Sequence, residues 1–246
     1  MAILYTWNFS EGSLGWQGDF ADYPSGEEEF YRLDSGVRPL PENLDNETAL
    51  FITGDNRSDD LFMYFRNQIE GLAPNTNYEV NFDIELASDA PEDSFGIGGS
   101  PATSVFLKAG ATLVEPVPVN DNGFLQLNVD KGNQSQAGED SVLLGNVAKP
   151  PSDDFNFNYE LIERTNQEPF SFRTDDSGSA WLYFGTDSGF EGTTALYYTN
   201  FEAEFLAIDG NGSTGVPEAS NLLFTIGLGI LFLLNISRLK SKSRSV

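Results

Sequence analysis

The stretch Tyr78-Glu79-Val80-Asn81-Phe82-Asp83-Ile84-Glu85-Leu86 alternates apolar and polar residues at every step. Successive side chains of a β-strand point to opposite faces of the sheet. The pattern therefore predicts a strand with one face buried and the other in water. Leu125–Val129 has the same alternation. Both segments show the two-residue period of β-strands and not the 3.6-residue period of helices.

Short apolar segments separated by turn residues continue in both directions from this strand. Gly, Pro, Asn and Asp cluster between them, as in Gly71–Asn77, and these residues favour turns. Many short strands of this kind predict an all-β fold. We expect an antiparallel β-sandwich, jelly-roll-like, over residues 1–208. The other predicted strands are Ile3–Phe9, Glu29–Leu33, Ala49–Thr53, Asp60–Arg66, Ser104–Ala109, Ser141–Val147, Phe155–Leu161, Phe170–Arg173, Ala180–Phe184 and Leu196–Leu206.

Composition excludes a good deal of chemistry. The 246 residues include 38 acidic and 13 basic side chains, a formal net charge of −25, and neither histidine nor cysteine. A Ser-His-Asp triad, a cysteine nucleophile, a His or Cys zinc site and haem ligation through His or Cys are therefore impossible. Carboxylate, hydroxyl, amide and aromatic groups remain, which suit calcium or sugars. A strongly negative body repels phosphates, so we expect no nucleic-acid partner.

The charge is divided unevenly along the chain. All 38 acidic residues lie at or before Glu218 with nine basic ones, a formal charge of 9 − 38 = −29. Ala219–Ser237 carries no charge, and a helix of that length spans roughly 28 Å, about one hydrocarbon core. The basic residues that follow are typical of a cytoplasmic flank; they are Arg238, Lys240, Lys242 and Arg244.

These features predict a flexible linker at 209–218, a single transmembrane helix at 219–237 in contact with a lipid bilayer, and a basic cytoplasmic tail at 238–246. A buried C-terminal core helix is the alternative. It is less favoured because a core helix normally shows a polar stripe, whereas this segment is apolar all round.

The order of motif, apolar helix and basic tail resembles a PEP-CTERM sorting signal. The motif is Val216-Pro217-Glu218, with Ala219 where the usual pattern has a second proline. The resemblance implies an exported bacterial protein that is associated with exopolysaccharide and processed by an exosortase-type enzyme. Its body would lie outside the cytoplasm, anchored at least transiently and then at the cell surface or in the matrix. An ordinary single-pass anchor is the alternative.

The N-terminus does not supply the signal peptide that export requires. Met1–Asn8 has neither a basic start nor an apolar run of sufficient length. It has instead the pattern of a first strand. Our hypothesis is that the true start of the protein lies upstream, which the genomic sequence preceding Met1 would test.

Three segments of the body resemble galactose-binding-like jelly rolls of carbohydrate-binding modules. They are the opening Phe9–Trp16 (FSEGSLGW), the turn and strand Gly71–Phe82 and the closing strand Leu196–Ala203. The resemblance implies a non-catalytic sandwich that binds polysaccharide. In the closing strand, Thr199 and Asn200 stand where that family often has an aspartate that binds calcium.

Oxygen-rich segments are candidates for a calcium ion, because calcium takes six to eight hard oxygen ligands. The densest is Gly54–Asp60, in which Asp55, Asn56, Asp59 and Asp60 are the candidate ligands. Arg57 offers a different outcome, in which it pairs with the carboxylates. A second candidate loop, Gly18–Tyr23, contributes Asp19 and Asp22, and Asn128–Gln134 is a third.

Exposed aromatic rings are the candidates for sugar binding, because flat rings cover the apolar faces of sugars while nearby polar groups bond the hydroxyls. We predict Trp16, Tyr23, Tyr31 and Trp181 as such rings. No residue stands out as a catalytic acid or base, so we expect a binding protein. The alternatives are a structural or adhesion domain that contacts other proteins and a carboxylate-dependent glycan-active enzyme.

Overall fold

The computed structural model describes residues 1–44, 47–151 and 156–208. The predicted linker, sorting motif, transmembrane helix and basic tail lie outside these residues. Within them, no helix has both the length and the apolar character needed to cross a membrane.

The described residues form strands with one short 3-10 helix, Phe9–Glu11, after the first strand. The strands are β1 Ala2–Asn8, β2 Gln17–Ala21, β3 Tyr23–Pro24, β4 Asp34–Pro39, β5 Thr48–Asp55, β6 Leu61–Ile69, β7 Asn77–Ser88, β8 Val105–Thr112, β9 Pro118–Asp121, β10 Phe124–Leu127, β11 Val142–Asn146, β12 Glu160–Thr165, β13 Phe170–Arg173, β14 Ala180–Ser188 and β15 Thr193–Ile208.

Two antiparallel sheets face each other, which confirms the predicted all-β sandwich. The first has seven strands in the order β12-β7-β15-β5-β4, with β1 added to β15 and β13 added to β7. The second has five strands in the order β11-β8-β14-β6-β2. The alternating stretch Tyr78–Leu86 lies within β7. Val80, Phe82 and Ile84 are buried there, and the residues between them are accessible.

Aromatic residues join the two sheets across the core. Phe184 of β14 and Phe201 of β15 have ring centroids 4.6 Å apart. Trp16 packs against both of these rings, 4.8 Å from Phe184 and 5.2 Å from Phe201. Large rings of this kind contribute much of the apolar area that stabilises such a core.

Residues 113–141, which we call the covering segment, lie on the outer face of the five-stranded sheet. Its strands β9 and β10 form a hairpin around Asn122 and Gly123, whose φ angles are 52° and 93°. Positive φ at both central residues defines the turn type that suits an Asn-Gly pair. The segment buries Val129 against Phe62 and Tyr183 of the sheet. The outer face of this sheet is therefore partly a second, smaller core.

Two predicted local structures are wrong. Glu29–Leu33 is a turn and not a strand, because Tyr31 N bonds Glu27 O, Leu33 N bonds Glu28 O and Arg32 takes a φ of 50°. The predicted loop Gly18–Tyr23 consists mainly of strands β2 and β3. The predicted strand Phe155–Leu161 begins outside the described residues, and the observed strand starts at Glu160.

Candidate functional site

Three of the four predicted sugar-binding rings are buried, so the expectation that they are exposed is wrong. Trp16, Tyr23 and Tyr31 retain 3%, 5% and 2% of their accessible surface. Trp16 packs edge-on to Trp7 and between the sheets. Tyr23 and Tyr31 pack on each other at 5.5 Å, and burial, with the neighbouring Glu28 and Asp19 carboxylates, raises the pKa of Tyr23 to about 12. These rings stabilise the fold and offer no open face to a sugar.

Trp181 is the predicted ring that keeps an accessible surface. It lies on β14 and is half-buried, whereas its neighbours in sequence, Ala180 and Leu182, belong to the core between the sheets. Since side chains alternate along a strand, Trp181 lies on the outer face of the five-stranded sheet. The covering segment buries other residues of that face, such as Tyr64 and Tyr183.

Polar side chains surround Trp181 on this face. Gln68 of β6 and Thr112 of β8 lie directly opposite it on the two neighbouring strands. Arg66 stands two residues from Gln68 on the same face of β6. Its guanidinium bonds Asp19 at 2.7 Å and Glu115 at 3.0 Å. We call Trp181, Gln68, Arg66 and Glu115 the Trp181 face.

The Trp181 face combines an aromatic surface with polar groups held in fixed positions. Two carboxylates orient Arg66, since charge-assisted bonds to a guanidinium are strong and directional. Such an arrangement suits a ligand that has both apolar C–H faces and hydroxyl groups. Asp19, predicted as a calcium ligand, therefore belongs to this face as the partner of Arg66.

In the predicted calcium loop Gly54–Asp60, Asp55 and Asn56 bond other groups of the protein. Asp55 is buried and forms ion pairs with Arg57 and, at 3.8 Å, with Arg32. Asn56 is also buried and donates to the carbonyl oxygens of Ser188 at 2.8 Å and Phe190 at 3.0 Å. The arginine pairing that the sequence offered as the alternative is thus observed, and Asp55 is not part of the group of carboxylates that includes Asp60.

A different set of carboxylates does converge, at one end of the five-stranded sheet. Asp22, Asp60 and Asp187 each place a carboxylate oxygen within 4.8 Å of the other two. Asp22 and Asp60 are among the predicted ligands, but Asp187, near the end of β14, is not. We call these residues, with Lys108 and Lys131, the carboxylate–lysine cluster.

Two lysines enter the cluster from the covered side of the sheet. Lys131 Nζ lies 2.7 Å from Asp187 Oδ2 and 2.8 Å from Asp22 Oδ2, and Lys108 Nζ lies 3.0 Å from Asp187 Oδ2. Asp187 and Lys108 are completely buried. Lys131 belongs to the third predicted loop, Asn128–Gln134, which contributes an ammonium group here.

The electrostatic environments of the three carboxyl groups differ. Burial raises the pKa of Asp60 to about 7, with the Asp22 and Asp187 charges adding to the effect. Burial also opposes ionisation of Asp187, but Lys131 and Lys108 together outweigh it and lower the pKa of that carboxyl group. For Asp22, burial outweighs Lys131 and raises the pKa. The lysines therefore favour the charged form of Asp187 much more than that of Asp60.

In the closing strand, Thr199 and Asn200 do not form the calcium site that is often found there in galactose-binding-like jelly rolls. Thr199 Oγ1 and Asn200 Nδ2 both donate to Glu85 Oε1, at 2.6 Å and 2.8 Å. Neutral groups therefore bond this carboxylate on the outer face of the seven-stranded sheet.

No protein-family model matches the chain, and no curated protein sequence matches it either. Among solved structures, it is similar to the CBM22-1 xylan-binding domain of Paenibacillus barcinonensis Xyn10C, with 14% identity, coverage of 83% of this chain and 95% of that one, and a TM-score of 0.39. It is also similar to TmCBM27, a mannan-recognising carbohydrate-binding module, with 13% identity, coverage of 83% of this chain and 98% of that one, and a TM-score of 0.40. A third similar structure is the K1 cleaved adhesin domain of Lys-gingipain from Porphyromonas gingivalis, with 10% identity, coverage of 84% of this chain and 99% of that one, and a TM-score of 0.38. Likenesses this distant do not indicate what the chain binds.

Proposed function

We propose that this β-sandwich is a non-catalytic module that binds polysaccharide on the Trp181 face. The observation that carries the proposal is Trp181 itself, a half-buried indole on an outer sheet face with Gln68 and Thr112 directly opposite it. An indole ring can cover the apolar face of one sugar unit, and the exposed amide of Gln68 can bond its hydroxyls. Thr112 is buried and its hydroxyl donates to Val114 O, so it supports this face without contacting the ligand.

Charge narrows the class of polysaccharide to neutral polymers. The chain has a formal net charge of −25, which repels an anionic polymer. Arg66 is the cation of the Trp181 face, and Asp19 and Glu115 already neutralise it. No unpaired positive charge on this face is therefore ready to bind a uronate or a sulfate.

Affinity electrophoresis of the full chain through gels that contain neutral polysaccharides tests this proposal. We expect one of the polymers to retard the wild type and Trp181→Ala to lose at least about tenfold in affinity, because stacking on an aromatic ring contributes on the order of 1.5 kcal/mol. Phe95→Ala is the matched control, since Phe95 is an 88% exposed ring on the loop before β8. Retardation by no neutral polymer, or equal retardation of Trp181→Ala and wild type, would contradict the proposal.

An adhesion domain is the second candidate, and the same loop favours it. Phe95 and Ile97 are 88% and 72% exposed, and Phe190 packs against the backbone of Gly96 between them. Exposed apolar side chains that lie together often mark a protein contact. Sedimentation of the wild type and Phe95→Ala distinguishes this function, because contact between copies through the loop would be weakened in the variant.

We propose that the module is exported and sorted through its C-terminal region. The support is the sequence order of Val216-Pro217-Glu218, the uncharged residues 219–237 and four basic residues at the end. The bilayer and an exosortase-type enzyme are then partners of the tail, and the sandwich faces the outside of the cell. Retention of the full chain in carbonate-washed membranes, and its loss on deletion of 216–246, is the expected result; a soluble full chain would contradict it.

A further inference from the structure

We propose that the carboxylate–lysine cluster binds one hard divalent cation, best matched by calcium, through Asp22, Asp60 and Asp187. These residues lie outside the Trp181 face, so the inference is independent of glycan binding. Three neighbouring parts of one sheet supply them: Asp22 follows β2, Asp60 precedes β6, and Asp187 lies in β14. The sheet order β14-β6-β2 thus brings together residues that are far apart in sequence.

The backbone holds Asp22 in an uncommon conformation. Its φ is 63°, in the left-handed region that few residues other than glycine, asparagine and aspartate adopt readily. Its N–H donates to Leu125 O at 2.6 Å, so the covering segment fixes this turn. The turn brings the carboxylate of Asp22 into the same group as those of Asp60 and Asp187.

Three buried carboxylate oxygens in the cluster accept no hydrogen bond among the described residues, and of these Asp22 Oδ2 has the ion pair with Lys131. Asp187 is completely buried, and its Oδ2 accepts from Lys108, Lys131 and the backbone N–H of Gln134. Its Oδ1 accepts nothing, and Asp60 Oδ1 is in the same position. An unpaired buried acceptor is strongly unfavourable, so this side of the cluster is short of a positive group.

Charge and space both favour a cation there. Three carboxylates face two ammonium groups, which leaves one negative charge if all are ionised. A pocket of about 200 Å³ opens onto Asp22 and Asp60, and Asp130 adds another carboxylate to its lining. Counting Asp130, the excess is two negative charges, which one divalent ion neutralises. Gln126 and Asn133, which line the same pocket, carry amide oxygens that could serve as further ligands.

Coordination chemistry favours calcium over magnesium at an irregular set of carboxylate and amide oxygens. Calcium bonds oxygen at about 2.3–2.6 Å and accepts irregular coordination, whereas magnesium requires a near-octahedral shell at about 2.0–2.1 Å. The three carboxylate oxygens all lie within 4.8 Å of one another, a spread that one calcium ion can bridge. Water molecules would fill the remaining positions.

The test is thermal unfolding of the full chain in calcium chloride and in chelator, with calorimetric titration of the same samples. We expect 5 mM calcium to raise the Tm of the wild type by about 3 °C or more through mass action. Asp60→Asn removes one ligand charge and should abolish most of the rise. Asp59→Asn is the matched control, because Asp59 is the exposed neighbour outside the cluster, and it should respond like the wild type.

Two results would overturn the proposal. One is a wild-type Tm that is the same in calcium and in chelator, which would mean that a proton shared by Asp60 and Asp187 satisfies the two oxygens instead. The other is an equal calcium response in Asp60→Asn and Asp59→Asn, which would place the binding on other surface carboxylates. Magnesium chloride in place of calcium should give a weaker response, and an equal one would contradict the choice of calcium.

Discussion

Acidic side chains on the outer faces of the two sheets have opposite kinds of neighbour. On the seven-stranded sheet, Glu85 lies directly opposite Glu163, and Asp83 directly opposite Glu202, so like charges face each other across strands. On the five-stranded sheet, the buried Asp187 instead receives two ammonium groups. Water and salt screen the first set of charges, whereas Asp187 and Lys108 are completely buried and are screened much less. Exposed carboxylates therefore tolerate unfavourable neighbours that buried ones do not.

The covering segment creates this difference. Its backbone carbonyls of Lys131 and Gln136 accept from Lys108 Nζ, and the carbonyls of Pro116 and Asp140 accept from the hydroxyls of Tyr64 and Tyr183. Polar groups that would face water on a bare sheet are thus buried and paired. The seven-stranded sheet shows the same alternating strands with their polar side chains left in solvent.

Breaking a buried ion pair gives the largest expected effect. Lys108→Met removes the hydrogen bonds from Nζ to Asp187 Oδ2 and to two backbone carbonyls while keeping an unbranched side chain. We expect a loss of about 3–5 kcal/mol in the free energy of unfolding, because a buried carboxylate and two buried carbonyls lose a donor. Equilibrium urea unfolding of the full chain measures it.

Arg38→Met is the matched control for that variant, since it removes the cation of an exposed pair. Arg38 bonds Asp34 on β4, and both side chains are about half exposed. Exposed pairs contribute only about 0–1 kcal/mol. Equal losses in the two variants would show that burial by the covering segment does not distinguish the charges of the two sheets.

Local patterns predicted most strands but missed or misjudged those that depend on turns. The alternation in Tyr78–Leu86 identified β7, whose observed bounds are Asn77–Ser88. The β9–β10 hairpin was missed, although Asn122-Gly123 is a strong hairpin signal. In Glu29–Leu33, the pattern was that of a strand, but a turn buries Tyr31. Burial of a side chain requires contact with the core and not a particular backbone conformation.

The carboxylate–lysine cluster was predictable only in part, because the residues that meet in it depend on the order of the strands in the sheet. Asp22 and Asp60 could be selected as polar residues near strand ends. Asp187 and Lys108 were missed, although each is the lone charged residue in an otherwise mostly apolar strand, a pattern that predicts a buried partner. Which charges meet follows from the pairing β14-β6-β2, which no local pattern specifies. The burial of Trp16 likewise depends on contacts between the two sheets.

The smallest expected effect concerns Asp83, a carboxylate on the exposed outer face of the seven-stranded sheet. Burial, followed by the charges of Glu163, Glu202 and Glu85, raises the pKa of Asp83 above its ordinary value of 3.8. A raised folded-state pKa means that ionisation of Asp83 weakens the fold as the pH rises through that pKa, whereas in stronger acid the penalty is absent. Asp83→Asn should therefore stabilise the protein at pH 7 by a few tenths of a kcal/mol, roughly the cost of facing like charges across strands.

Urea unfolding at pH 7 in low and high salt separates this electrostatic gain from any change in packing. The gain should shrink as salt rises towards 1 M, where the Debye length falls to about 3 Å, and should vanish below pH 3, where the wild-type carboxyl group is also neutral. Asp93→Asn, on an exposed loop away from the sheet face, should change the stability less at low salt. A gain that persists at high salt or in acid would mean that packing, and not repulsion between exposed carboxylates, distinguishes this face from the covered one.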